Sequence, residues 1–188
     1  MRRVLTIWLI LAFAVTAIVG CQAFMAKPKT PVIKLNRVEV AHYWKFFLEP
    51  KKKRGSTLDL AFIFDITNPN TYKVMLDEFR FTVAFEGIEL STPIVYEDVY
   101  IPGKTTSQLR VHVALDAYTA LLALLVPPGN VQAWKKMGTK PPALLKKWWE
   151  GIQDFSFPIE VRNGVAKFST PKGEIIAPFK GVFPKKKK

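Results

Sequence analysis

The 188-residue chain contains a single cysteine, Cys21, and two histidines, His42 and His112. One cysteine cannot build a disulfide framework, so stability must come from a packed core. Neither histidine has a histidine or cysteine partner at ligand spacing, which argues against a metal site. A glycine-rich phosphate loop and a nucleophile elbow are also absent from the sequence. We therefore expect no catalytic residues, no metal and no cofactor.

Acidic residues are few beside basic ones. Asp and Glu number 15 against 28 Lys and Arg, which gives a formal net charge of +13. A strongly basic chain suits an anionic partner, and nucleic acid is the first class to consider. Apolar residues make up 49% of the chain and aromatic residues 13%, which is too much for a disordered chain and enough for one globular domain.

The N-terminus bears on whether nucleic acid is a partner. Arg2 and Arg3 precede an apolar run at residues 4–20 that two threonines interrupt, and Cys21 follows at once. A basic segment, an apolar segment and small residues before a processing site form an export signal. We therefore expect the rest of the chain outside the cytoplasm and no nucleic-acid partner.

The sequence IVGC at residues 18–21 resembles the lipobox of bacterial lipoproteins. The resemblance implies that residues 1–20 are a signal peptide cut before Cys21 and that this cysteine carries a diacylglycerol, usually with a third acyl chain such as palmitate. Membrane lipids are then the first partner. In a cell with two membranes, Gln22 favours the periplasmic face of the outer one. The alternative is an uncleaved signal-anchor helix, although about 17 apolar residues are short for a membrane span.

Residues 21–31 lack periodicity and contain two prolines, which indicates a short lipidated tether before a domain at residues 32–184. In that domain apolar and polar side chains alternate, the pattern of strands with one buried face. The clearest series are Leu58, Leu60, Phe62, Phe64 and Ile66; Phe79, Phe81, Val83 and Phe85; and Leu109, Val111, Val113 and Leu115. Turns are expected at Gly87, at Pro102-Gly103 and at Asn163-Gly164, where the last pair should close a hairpin. Short strands without alternating helices predict a mainly β fold, an antiparallel β-sandwich.

The alternation stops in an insertion at about residues 116–153. Asp116 is placed to cap a first helix over residues 117–126, which two prolines and a glycine end, and Pro141-Pro142 opens a second helix over residues 143–153. The first helix is too short to cross a bilayer, and we expect it to pack over an open end of the sandwich.

The second helix has two interpretations. Trp148 and Trp149 share its apolar side, and Lys146 and Lys147 lie next to them in the sequence. Indole beside lysine is typical of a helix at a membrane surface, where the ring lies at the head-group level and the ammonium contacts phosphate. In the alternative, Trp148 belongs to the core and Trp149 is half exposed.

Two basic clusters carry further charge. Lys51, Lys52, Lys53 and Arg54 follow one another in a predicted loop, and four lysines form a tail at residues 185–188. Each lysine or arginine near an anionic membrane contributes about 1 kcal/mol of binding free energy. The clusters are therefore candidate contacts for anionic head groups or for an acidic protein, although such runs are usually only solvated.

Three landmarks occur in order along the predicted strands. Asn68-Pro69-Asn70 follows one strand, Pro102-Gly103 precedes another, and residues 178–183 form a closing strand. They resemble the WHy (water stress and hypersensitive response) domain of late-embryogenesis-abundant group 2 proteins over most of residues 34–183. The resemblance implies a small sandwich similar to a fibronectin type III domain. Because Pro69 holds Asn68 extended and asparagine side chains bond nearby backbone groups, the motif should be a structural corner.

Two functions follow from these observations. The resemblance implies a non-catalytic protein that protects other proteins or membranes by contact during desiccation or other stress. Alternatively, the protein is a structural or accessory subunit of a membrane protein complex, which it contacts through the apolar helix, the tryptophan pair and the basic clusters. A lipid or small-ligand carrier is a weaker alternative, because the interior of a small sandwich is normally filled by side chains.

The lipidation hypothesis predicts the outcome of Cys21→Ser. The variant has no thiol for a thioether to diacylglycerol, so it should incorporate no labelled palmitate and should retain residues 1–20. Mass spectrometry of membrane-extracted protein, with the wild-type protein as the control, measures both properties. A wild-type protein that keeps residues 1–20 would contradict the hypothesis and support the signal-anchor helix.

Overall fold

Alternating apolar side chains form two antiparallel sheets in the computed structural model, which describes residues 27–184. The first sheet has the order β1 (Val32–Tyr43), β4 (Thr57–Thr67) and β9 (Thr106–Asp116). The second has the order β11 (Gly173–Phe183), β10 (Ile159–Thr170), β5 (Val74–Phe85) and β6 (Ile88–Ser91), and β5 also pairs with β7 (Ile94–Val95) and β8 (Val99–Ile101). A short ladder of β2 (Leu48–Glu49) and β3 (Arg54–Gly55) encloses a 3-10 turn at Pro50–Lys52. The predicted antiparallel β-sandwich is confirmed.

Aromatic rings fill the space between the two sheets. The ring centroid of Phe64 on β4 lies 4.9 Å from that of Phe79 and 5.1 Å from that of Phe81, both on β5. Phe179 of β11 stacks on Phe79 at 4.6 Å. Such pairs contribute about 0.5–1.5 kcal/mol each beyond the burial of apolar area. The described interior is therefore a packed core of side chains.

The hairpin expected at Asn163-Gly164 is wrong. β10 continues through both residues, and its pairing with β5 and β11 shifts register there, so the pair forms a β-bulge. Asn163 has a φ of 49°, which asparagine tolerates. A Cβ on Gly164 would lie 2.5 Å from the ring of Phe179, so the close approach requires glycine. Bulges and tight turns use the same residues because both need such backbone conformations.

Three helices cover one end of the sandwich: α1 (Ala117–Leu125), α2 (Pro128–Lys136) and α3 (Pro141–Gly151). The carboxylate of Asp116 accepts hydrogen bonds from two backbone N–H groups of the first turn of α1 at 2.8 and 3.0 Å, as expected of an N-cap. α1 buries Leu121 and Leu124 against the sandwich, which confirms its expected packing. α2 was not predicted, because Pro127, Pro128 and Gly129 were expected only to end α1. Pro128 instead begins a helix, and its missing N–H costs nothing at the first helical position.

The strands give the sandwich two distinct ends. We call one the corner end; it comprises residues 27–31, 68–73, 102–105 and 171–172. The other is the helical end, which comprises α1 to α3, the β2–β3 ladder and Pro184. The 11 residues of β4 run from one end to the other, so the two ends are about 35 Å apart at ~3.3 Å per residue.

In residues 27–184 no helix has the length and apolar content that a bilayer span requires.

Trp148 and Trp149 are both completely buried at the helical end. The Trp148 ring lies 5.6 Å from that of Phe85, and its Nε1 donates a hydrogen bond to Glu86 at 2.7 Å. The Trp149 ring meets Phe46 edge to face at 6.1 Å. The interpretation that these indoles contact a membrane surface is therefore wrong. Both rings fill the space between α3 and the sheets. The alternative is right for Trp148, but Trp149 is core and not half exposed.

Replacement of Trp148 by alanine should lower the free energy of unfolding by about 3–5 kcal/mol, because it opens a cavity and removes the hydrogen bond to Glu86. Trp44→Ala is the matched control. Its side chain is 57% exposed, so we expect a loss below about 1 kcal/mol. Urea unfolding followed by circular dichroism measures both variants, and equal losses would contradict the assignment of Trp148 to the core.

Candidate functional site at the corner end

Asn68 is a completely buried polar residue directly after β4. Its two Nδ2–H groups are shared among the backbone carbonyls of Tyr72, Ile101 and Pro102 at 2.8, 3.1 and 3.2 Å. Its Oδ1 accepts hydrogen bonds from the backbone N–H and the side-chain amide of Asn70, both at 3.0 Å. Each buried polar group left unpaired costs about 1–3 kcal/mol. One side chain therefore satisfies backbone groups of two separate chain segments.

Asn70 extends this network to the chain before β1. Its Oδ1 accepts a hydrogen bond from the backbone N–H of Lys29, and its Nδ2 donates to the Lys29 carbonyl, both at 2.8 Å. The side-chain amide thus pairs with the backbone in the manner of a strand partner. Pro31, two residues later, is buried. The segment that leads toward Cys21 is therefore fixed to the corner end.

The predicted Pro-Gly turn is locked against the same corner. The backbone N–H groups of Asn68 and Lys104 donate to the carbonyls of Thr105 and Asn70, both at 2.9 Å. A Cβ on Gly103 would lie 2.5 Å from a backbone carbonyl carbon of the corner, so this approach requires glycine. The motif and the turn, far apart in the sequence, form one structural unit.

Basic side chains surround a cleft beside this unit. The cleft has a volume of about 200 Å³, and its lining includes Tyr72 and four lysines, Lys27, Lys29, Lys104 and Lys172. The Nζ of Lys104 donates a hydrogen bond to the carbonyl of Pro69 at 2.7 Å, and the Nζ of Lys172 lies 5.9 Å from the ring centroid of Tyr72. No sequence pattern marks these lysines as a group, because they come from three distant segments. The only signals are the basic tether and the lysine that follows Pro102-Gly103.

The predicted basic loop lies at the helical end, away from this cleft. Lys52 and Arg54 pair with the carboxylate of Glu49 at 3.2 and 2.8 Å. Arg54 first, and then Lys52, lower the pKa of Glu49 by hydrogen bonding, so the carboxylate stays charged at neutral pH. Lys51 and Lys53 are exposed. The loop is therefore partly neutralised by its own acidic residue.

The two lysines of α3 are also exposed at the helical end and are also paired. The Nζ of Lys147 donates to both carboxylate oxygens of Glu86 at 2.8 Å. The Nζ of Lys146 lies 3.7 Å from the carboxylate of Glu150, four residues further along the helix. These pairs stabilise α3 and its contact with the β5–β6 turn.

Cys21 and the tail at residues 185–188 lie outside the described residues, so lipidation and tail contacts stay predictions. Within residues 27–184, no group of three or more His, Cys, Asp or Glu side chains is arranged to hold a metal ion.

Comparison with known proteins gives a similarity of structure. No protein-family model matches the chain, and no curated protein does. The solution structure of AT1g01470 from Arabidopsis thaliana aligns with a TM-score of 0.52 at 13% identity, covering 84% of this chain and 81% of that one. The two proteins share a fold.

Two further solved structures are similar at lower scores. The solution structure of a candidate late embryogenesis abundant (LEA) protein, At2g46140.1, has a TM-score of 0.47 at 13% identity and covers 91% of this chain and 82% of its own. A protein from Archaeoglobus fulgidus has a TM-score of 0.41 at 10% identity, covering 79% and 94%.

The hydrogen bonds of Asn68 predict that Asn68→Ala lowers the free energy of unfolding by about 3 kcal/mol, because the variant leaves buried carbonyls and the Asn70 amide without partners. The control is Gln132→Ala on the exposed side of α2, for which we expect a change within about 0.5 kcal/mol. Urea unfolding measures both variants. A midpoint for Asn68→Ala equal to that of the wild type would show that water replaces the amide without cost.

Proposed function

We propose that the protein is a membrane-tethered, non-catalytic module of the LEA group 2 type with a WHy-like domain, which protects neighbouring proteins or the membrane by contact during desiccation or other stress. The observation that carries the proposal is the corner itself. Asn68-Pro69-Asn70 and the Pro-Gly turn, which the resemblance links to this family, interlock through buried hydrogen bonds. The fold shared with AT1g01470 supports the β-sandwich part of the proposal.

The packed interior supports a function that the surface performs. Between the sheets, Phe64, Phe79, Phe81 and Phe179 lie in ring-to-ring contact. A ligand that entered between them would have to displace several buried rings, each worth about 3–5 kcal/mol by truncation. This cost favours protection by contact over the alternative of a lipid or small-ligand carrier.

The outer face of the three-stranded sheet carries charged residues in ion pairs. Glu39 lies between Arg37, at 2.7 Å, and Arg110, and His112 lies 3.1 Å from Asp59. Hydrogen bonds from Arg37 first, and then Arg110, lower the pKa of Glu39. A folded surface that keeps its charge and has a net charge far from zero resists association with itself. Such a surface can separate other proteins as water is withdrawn.

The protection hypothesis predicts that the full-length protein in mild detergent preserves the activity of a test enzyme through drying and rehydration. Retained activity should rise with the amount of protein and exceed that with an equal mass of albumin in the same detergent. The Trp148→Ala variant is assayed under conditions in which it is unfolded. If the folded surface is needed, this variant should not protect the enzyme. Protection no better than that of albumin would contradict the proposal.

Apolar side chains exposed at the helical end favour a second candidate, the accessory subunit of a membrane complex. Leu125 is 47% exposed and Val126 is 71% exposed at the end of α1, and Met137 is exposed after α2. Groups of exposed apolar side chains often mark protein interfaces.

The subunit hypothesis predicts a stoichiometric complex when the protein is purified from its membrane in mild detergent. Leu125→Asp with Val126→Asp should dissociate the complex, because a carboxylate would be buried without a partner. Ile176→Asp is the control, since Ile176 is 61% exposed on β11. Purification of the wild-type protein alone would contradict this candidate.

A further inference from the structure

We propose that the corner end binds anionic lipid head groups through Lys27, Lys29, Lys104 and Lys172, and that this contact sets the orientation of the domain on its membrane. The proposal rests on the lipid anchor of the proposed function and is independent of the protective activity. The sequence offered the basic loop and α3 as candidate membrane contacts. The proposal assigns the contact to the corner end instead.

Three of these lysines have no carboxylate beside them. Within residues 27–184, no Asp or Glu oxygen lies within 4.0 Å of the ammonium groups of Lys27, Lys29 or Lys104. At the helical end, by contrast, Lys52 and Lys147 each have a glutamate partner. A paired ammonium must give up its partner to bind a phosphate, whereas an unpaired one gives up only water. The ammonium groups of these three lysines are therefore available to an anion, as are those of Lys51 and Lys53 at the helical end. The cleft and the nearby tether, rather than the absence of ion pairs, distinguish the corner end.

The cleft presents groups that match a phosphate. Lys104 is already held in position by its hydrogen bond to the carbonyl of Pro69 at 2.7 Å. A neutral carbonyl leaves the positive charge and two further N–H donors free for an anion, and a side chain held in place loses less entropy on binding. The hydroxyl of Tyr72 is buried and has no hydrogen-bond partner among the described residues, which is uncommon for a buried hydroxyl. Because that hydroxyl is shielded from solvent, the lysines alone supply the donors to a phosphate in the cleft.

The tether places this cleft next to the bilayer. Asn70 fixes the backbone of Lys29 to the corner end, and the six residues 21–26 connect Cys21 to Lys27. Six residues reach at most about 20 Å when fully extended. A binding site held this close to a surface meets its ligand at a high effective concentration. A free phosphate or an acidic protein has no such advantage, so the occupant is the phosphate of an anionic lipid.

Energy transfer in vesicles that carry the full-length lipidated protein tests the proposal. Because the anchor blocks Cys21, a fluorophore can be attached to a single new cysteine, either Thr71→Cys at the corner end or Gln132→Cys at the helical end. The acceptor is a labelled lipid head group. With about 30% phosphatidylglycerol in phosphatidylcholine, we expect more transfer from position 71 than in pure phosphatidylcholine, and the increase should disappear in about 0.5 M salt. Transfer from position 132 should stay low.

Two matched sets of substitutions locate the contact. The set K27Q, K29Q, K104Q and K172Q should return transfer from position 71 to its value in phosphatidylcholine. The set K51Q, K52Q, K53Q and R54Q removes the same number of charges at the helical end and should change nothing. Circular dichroism checks the fold of each set. If the first set does not fold, the pair K27Q and K29Q, which alters only the exposed tether segment, should still lower the transfer.

Three outcomes would overturn the proposal. Equal transfer from position 71 in both kinds of vesicle would show that the anchor alone orients the domain. Loss of transfer with the helical-end set would place the contact in the basic loop. An increase at position 71 that persists in the set K27Q, K29Q, K104Q and K172Q would place the contact outside the cleft. The assay contains no drying step, so failure of protection and failure of head-group contact remain separate results.

Discussion

The amide of Asn68 is the polar group on which the corner end depends, because its side chain makes five hydrogen bonds without exposure to water. An amide carries two donors and an acceptor with two lone pairs; a carboxylate lacks the donors and a hydroxyl has only one. Through Asn70 the network reaches Lys29, and through the backbone of Asn68 it reaches Thr105. The start of β1, the end of β4 and the start of β9 are thereby fixed at one junction.

This junction also determines which side chains meet in the core. Strands that begin or end at fixed positions have a fixed register, and a shift of one residue would turn every apolar side chain to the opposite face. With the register fixed, Phe64 of β4 faces Phe79 of β5, and Phe179 stacks on the latter. The buried corner and the aromatic core therefore support each other. Their packing leaves the surface, rather than the interior, to contact other molecules.

The sequence was sufficient for the central strands and insufficient where distant segments meet. Alternation predicts β4, β5 and β9 because each has one face in the core. The pair Asn163-Gly164 misleads because it reports a local backbone conformation, which a bulge needs as much as a hairpin does. Trp149 looks half exposed on a helical wheel, but the sheets and Phe46 cover it from outside the helix. The lysines around the cleft come from three segments, so only the fold brings them together.

The same excess of positive charge has different consequences at the two ends. At the helical end, Glu49 and Glu86 lie within reach of the basic side chains, and apolar residues such as Val126 are exposed beside them. At the corner end the lysines line a cleft next to the tether. In the proposed arrangement, the tether presents the corner end to lipid and leaves the helical end to contact other proteins. Protection and complex formation then differ in what contacts the helical end.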